Sequence, residues 1–236
     1  MSSGRFEQLK ESPAMTAAEA AGSLHPVCSG VYRVMPMRLT PTKYSSFLVI
    51  HPAGNLMFAC YSRGGLAADV LNKIEQTGGL RAQLLGDMHL KDPLCDVLSK
   101  RFHTSTYCSE PETDDVQRTC HLVTPFPFER HALFPHVEVI PTPGHRPGGT
   151  CFIVDMGGRR VLFAGDNVGF DGQRWTCFPS KQGRREMVAS LRLLASCEFD
   201  VLCAITLASE RTCSITLESA DQRKQFFESV AATVVK

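Results

Sequence analysis

His145 stands in "VIPTPGHRPGG", residues 139 to 149, where a short apolar run stops in a knot of proline and glycine. Two turn-making dipeptides leave its ring nothing apolar to pack against. An imidazole held at a strand mouth serves as a metal ligand, as an acid or base, or as a turn residue bonded to a backbone carbonyl. Choosing between those roles requires partners elsewhere in the chain. His25, His51, His103, His121, His131 and His136 have no ligand spacing around them and read as surface or loop residues. A nucleophilic hydrolase has no support, because there is no G-x-S-x-G elbow and no cysteine that pairs with a histidine by spacing. "GGLAAD" is too short of glycines for a phosphate loop or a dinucleotide fingerprint. "KQGRR", residues 181 to 185, reads as a solvated basic run beside a helix start.

Composition narrows the class. The chain has 236 residues, of which 43% are hydrophobic, enough for one domain with a substantial core. Residues 1–24 are polar and Ala/Ser-rich and read as a loose arm, and 25–236 as a single domain. A net charge of +1 gives no field for nucleic acid or an anionic membrane, so a small molecule or a protein is the expected partner. The ten cysteines form no CxxC pair and several sit in apolar runs, which suits small buried side chains in a reducing compartment. No signal-peptide core or membrane-length apolar run is present, so a cytoplasmic location is expected.

The elements that would position His145 follow from period and punctuation. "VYRVMP", "SSFLVI" and "NLMFACY" read as three strands joined by tight turns. "GGLAADVLNKIEQTGG" changes to helical period, with Leu66, Val70, Leu71 and Ile74 on one face and glycines as stops. "RAQLLG", "DPLCDVLSKRF" and "TSTYC" then give strand, helix and strand. Residues 109–135 show few periodic signals and are expected to be irregular or a short strand pair. "VEVIP", "TCFIVDM" and "RRVLFAGD" are strands, the last two joined through Gly157-Gly158 and apolar enough to be covered on both faces. A helical stripe at Met187, Val188, Leu191, Leu194 and Ala195, a strand in "FDVLCAI" and a helix bearing Phe226, Phe227, Val230 and Ala231 complete the chain. Two sheets with helices outside is the economical arrangement.

"IPTPGHRPGGTCFIVDMGGRRVLFAGD" resembles the middle of the metallo-β-lactamase superfamily, where a TPGHTPG-like turn bears a metal-binding histidine and a later strand ends in a metal-bridging aspartate. The resemblance extends over roughly residues 27 to 210. It implies an α/β fold, a four-layer αββα sandwich with the site at one edge of the two sheets. It assigns His145 to the ligand histidine and Asp166 to the bridging aspartate, although Asp166 before Asn167 also suits a turn or cap.

The family's HxHxDH loop falls on "DMHLKD", residues 87 to 92, which puts Asp87, His89, Lys91 and Asp92 at its ligand positions. Only His89 is retained, and no histidine follows His145 to supply the family's last ligand. The resemblance therefore implies one remaining site of Asp87, His89, His145 and Asp166, whose mixed N/O donors suit zinc, iron or manganese. A local hydrogen-bond network explains His89 equally well, and Asp92 before Pro93 suits a helix cap. Lys91 is expected to pair with Asp92 and Asp166 as a remnant of the second site, in place of the missing cation. Trp175, in the loop after Asp166, is a candidate substrate contact. Two functions follow: a single-metal hydrolase of an ester, thioester or amide, weakened by its changed ligands, or a catalytically inactive member that binds a small molecule or protein without metal.

Overall fold

The computed structural model describes residues 24–35, 45–59, 65–206 and 212–234. The expected N-terminal arm lies outside these apart from Leu24, which already belongs to a strand. In the first sheet β1 (Leu24–Cys28), β2 (Val31–Val34), β3 (Ser46–Val49) and β4 (Leu56–Phe58) are antiparallel neighbours. β5 (Ala82–Leu84), β6 (Thr106–Ser109) and β7 (Val123–Phe126) extend it in parallel. Parallel neighbours need crossovers, and α1 (Ala68–Gln76), α2 (Leu94–Phe102) and α3 (Thr113–Gln117) supply them. The α1 stripe buries Val70 and Ile74, and the helix ends where the Gly79 amide, at positive φ, reaches back to the Ile74 carbonyl.

The second sheet orders β15 (Ser214–Thr216), β14 (Val201–Cys203), β11 (Arg160–Phe163), β10 (Thr150–Asp155), β9 (Val137–Pro141) and β8 (His131–Phe134). Gly157 and Gly158 both have positive φ and turn β10 into β11, as a two-residue hairpin requires. α4 (Arg184–Ala195) and α5 (Ala220–Ala231) follow, the latter opened by a reciprocal cap between Ser219 and Gln222. A small hairpin, β12 (Gly169–Phe170) with β13 (Trp175–Thr176), stands apart.

Side-chain alternation orders the layers. Met57 pairs with Gln83 and Phe58 with Leu84, so these strands present two faces. Gln83 donates to the Cys95 carbonyl and the Ser99 hydroxyl of α2, both at 2.8 Å, which puts that helix on one face. Phe58 points the other way and stacks on Phe163 of β11 with ring centroids 3.8 Å apart, while Phe152 of β10 lies 5.7 Å away. On the opposite face of β10 and β11, Ile153 and Leu162 pack with Met187, Leu191 and Leu194 of α4 and with Phe226 and Phe227 of α5. The order helix, sheet, sheet, helix is the expected four-layer αββα sandwich.

The expectation for residues 109–135 is corrected. They form a 3-10 turn (Glu110–Glu112), α3, β7 and β8, and they carry the chain from the edge of the first sheet to the edge of the second. The two strands pair with β6 and β9, not with each other. Each is four residues long, and β7 contains Pro125, tolerable because the strand is an edge. Such short edge strands leave no period to read. β1, β12, β13 and β15 lie beyond the sequence reading for the same reason. No disulfide forms among the described residues, and seven cysteines are buried. Among those residues no helix is long and apolar enough to cross a membrane.

The Phe58–Phe163 stack joins the two sheets, so Phe58→Ala should cost about 3–5 kcal/mol in urea denaturation. A loss under about 1 kcal/mol would mean that the sheets do not depend on this contact.

Candidate metal centre

Two Gly-Asp corners from different sheets meet at one edge of the sandwich. β5 runs out through Leu85 and Gly86 into Asp87, and β11 through Ala164 and Gly165 into Asp166. A Cβ on Gly86 would lie 3.0 Å from the Gly165 Cα and 3.0 Å from the Thr150 carbonyl oxygen, so any larger residue would push backbone apart at this approach. The Thr150 amide donates to the Gly86 carbonyl at 2.8 Å and fastens the corner to β10. Beyond it, Asp87 Oδ1 accepts the His89 amide at 2.7 Å and starts a 3-10 turn (Met88–Leu90), anchored by the buried Leu90. Cap and turn aim His89 back over Asp87.

His145 is set from the other side. The Thr142 amide donates to the Gly149 carbonyl at 2.8 Å, closing the turn between β9 and β10. Gly144, at φ +136°, sits so close to the start of α4 that a Cβ would fall 2.5 Å from the Met187 nitrogen. The Ser190 hydroxyl donates to the Pro143 carbonyl at 2.7 Å and holds the turn on that helix. His145 Nδ1 is hydrogen-bonded to the Phe178 carbonyl, which can only accept. Nδ1 therefore carries the proton, and Nε2 turns its lone pair toward Asp166 and His89, the tautomer a metal ligand needs.

His89 Nδ1 lies 3.0 Å from His145 Nε2, 3.4 Å from Asp87 Oδ1 and 3.7 Å from Asp166 Oδ2, and His145 Nε2 lies 3.5 Å from Asp166 Oδ2. One donor atom from each of the four residues falls within 4.8 Å of the others. A tetrahedral zinc site with bonds of about 2.0–2.1 Å has ligand-to-ligand edges of about 3.3 Å, close to the four separations made by His89 and His145. Asp166 Oδ1 is buried without a hydrogen-bond partner. Two nitrogen and two oxygen donors therefore fit a single divalent ion.

The electrostatics agree. Asp87 and Asp166 are 2% and 3% exposed. Burial first, and then the Asp166 charge, raise the Asp87 carboxyl well above its ordinary range. The Asp166 carboxylate raises His89, which is 40% exposed and the most open of the four. Without a cation the corner favours protons.

Other candidate residues fall elsewhere. Asp92 Oδ1 accepts the Leu94 amide at 2.8 Å, which makes it a cap of α2, and it is not part of the four-residue group. The expected pairing of Lys91 with Asp92 and Asp166 is corrected: among the described residues Lys91 forms no ion pair, and its ammonium lies 3.9 Å from the Met88 sulfur. The 3-10 turn explains the difference, because it stacks Lys91 over Met88, three residues back. Trp175 packs edge-on against Phe170 and Phe226 beside α5, which commits its indole to the outer layer. His136 lies in the turn between β8 and β9, within the expected surface or loop placement, and is buried there, stacked on His51 at 3.9 Å.

Sequence reasoning passed over Glu112, whose buried carboxylate accepts the Met88 amide at 3.2 Å and the Gly148 amide at 3.0 Å. Nothing local in "EPET" announces that role. The repeated Gly-Asp at the ends of "RAQLLGD" and "RRVLFAGD" was a readable signal for the paired corners.

Raised Asp87 and His89 act with one sign. Each stabilises the metal-free fold fully below its ordinary value, 3.8 for Asp87 and 6.5 for His89, and loses that contribution as pH climbs through its raised one. Chelator-treated protein should therefore melt at progressively lower temperature from about pH 4 upward through neutrality. Asp87→Asn keeps the cap to His89, should flatten the slope and should raise the melting temperature near neutral pH. A lower melting temperature for this variant at every pH would contradict the reading.

A search of curated proteins finds no significant match to this chain. Residues 117–206 match the family model of the metallo-beta-lactamase superfamily. Among solved structures, the MIM-2 metallo-beta-lactamase aligns with a TM-score of 0.63 at 15% identity, covering 93% of this chain and 91% of that one. A metallo-beta-lactamase family protein from Thermus thermophilus gives 0.59 at 16%, covering 88% and 80%. A B3 metallo-beta-lactamase described as having an active-site glutamic acid gives 0.56 at 14%, covering 94% and 97%. These likenesses concern the fold, and the family model spans the segment bearing His145 and Asp166, so it is the metallo-beta-lactamase superfamily that this chain is similar to.

Proposed function

We propose that this chain is a single-metal hydrolase of an ester, thioester or amide, with Asp87, His89, His145 and Asp166 as the metal ligands. The observation that carries this reading is the convergence of their four donor atoms at the spacing of one coordination shell. Zinc, iron or manganese suits the donor set. Such an ion supplies Lewis acidity toward a carbonyl oxygen and acidifies water.

The chain's own groups do the remainder. Phe178 holds His145 Nδ1, so Nε2 is the ring nitrogen turned toward the site. Asp87 and Asp166 together carry the two negative charges that neutralise a dication, and their burial excludes competing water. That neutrality reduces Lewis acidity relative to an all-histidine site, and Lys91 stands where the family places a water-positioning aspartate. Slow turnover is the consequence. The exposed flank of His89 is the side open to a substrate.

Elemental analysis of protein purified without chelator or added metal should find about one zinc, iron or manganese ion per chain. A panel of ester, thioester and amide substrates should show slow hydrolysis that chelator abolishes. His145→Ala should lower metal content and hydrolysis together, and circular dichroism should show the fold retained. Absence of metal, with none taken up on titration, would contradict this reading and favour a non-catalytic binder of a small molecule or protein.

A further inference from the structure

We propose that Glu112 is a positioning residue for this centre: its buried carboxylate locks the turn bearing Asp87 and His89 to the turn bearing His145 and so sets the spacing of the ligands. The proposal rests on the metal-centre reading above. Glu112 ends the 3-10 turn before α3, outside both ligand-bearing turns, and is 1% exposed. Its Oε2 accepts the amide of Met88, the residue between Asp87 and His89, at 3.2 Å. Its Oε1 accepts the amide of Gly148, three residues past His145, at 3.0 Å. One side chain therefore bridges two backbone segments that no strand pairing joins directly.

Neighbouring groups hold the clamp. Arg146, next to His145, brings Nε to 3.7 Å from Glu112 Oε2 and donates through Nη2 to Asp115 Oδ2 at 3.3 Å. The guanidinium thus sets its positive charge against the buried carboxylate. The Ser109 hydroxyl donates to the Gly148 carbonyl at 2.7 Å and closes the same junction from β6. A carboxylate is required at this position because both partners are N–H donors. Glutamine would turn an N–H toward one of them, and aspartate is a methylene too short to reach both.

Loosening the clamp would let the two turns drift apart at the ligand atoms. Groups that orient metal ligands typically contribute about 10–100-fold in affinity, and that range is expected here.

The test is a cobalt(II) titration of chelator-treated protein, following visible absorption, for the wild type, Glu112→Gln and Gly148→Ala. The alanine Cβ would lie 2.5 Å from Glu112 Cγ and 2.6 Å from Ser109 Oγ, so it displaces the same carboxylate without altering it. Metal-free melting temperature is measured alongside. The wild type should take up about one cobalt ion with a defined spectrum, and both variants should bind about 10–100-fold more weakly with shifted bands. Should one variant fail to fold, the other reads the same junction. Variants that melt lower but keep the wild-type spectrum and affinity would overturn the proposal while leaving the metal centre intact. No cobalt uptake by the wild type would overturn the metal-centre reading and this proposal with it.

Discussion

Two carboxylates that share a buried corner need positive charge between them, and much of the molecule is arranged around that need. Asp87 and Asp166 each follow a glycine at the end of a strand, and a Cβ on Gly86 would crowd the Gly165 Cα at 3.0 Å. Solvent cannot neutralise the pair, since both side chains are almost fully buried. An uncompensated buried charge is among the most costly features a fold can carry. Protons relieve it at low pH. Two imidazoles stand beside the pair, and together the four residues form a group that could hold a divalent ion.

The sandwich is what creates that corner. β5 belongs to one sheet and β11 to the other, and their ends meet only because the sheets are stacked through Phe58, Phe152 and Phe163. The turn between β9 and β10 then needs α4 beneath it to fix its direction, through Gly144 against Met187 and Ser190 against Pro143. Strand ends place the two aspartates, the 3-10 turn places His89, and the helix beneath the β9–β10 turn places His145. The chemistry is thus a property of the layers as much as of the loops.

The layers were legible in the sequence. Continuous apolar strands ending in Gly-Asp and helices with a single apolar stripe imply sheets covered outside by helices, which the packing of Ile153 and Leu162 against α4 and α5 bears out. His145 was legible as a residue without a packing role. Asp87, His89 and Asp166 needed the family resemblance, since each also suits a cap or turn in isolation, and Asp87 is indeed a cap as well as a candidate ligand. Glu112 was not legible, because its partners are backbone amides 24 and 36 residues away and any residue type offers such an amide. Lys91 shows the opposite failure: charge alone suggested an ion pair, whereas local turn geometry directs the side chain onto Met88.

The central claim is that the buried carboxylate corner is a site for one dication, and calorimetric titration of chelator-treated protein with zinc in buffers of different ionisation enthalpy tests it most directly. Binding of about one ion with release of protons is expected, because Asp87 and His89 hold protons more tightly than usual when the ion is absent. No binding would contradict it, and binding with no proton release would contradict the raised proton affinity of Asp87 and His89.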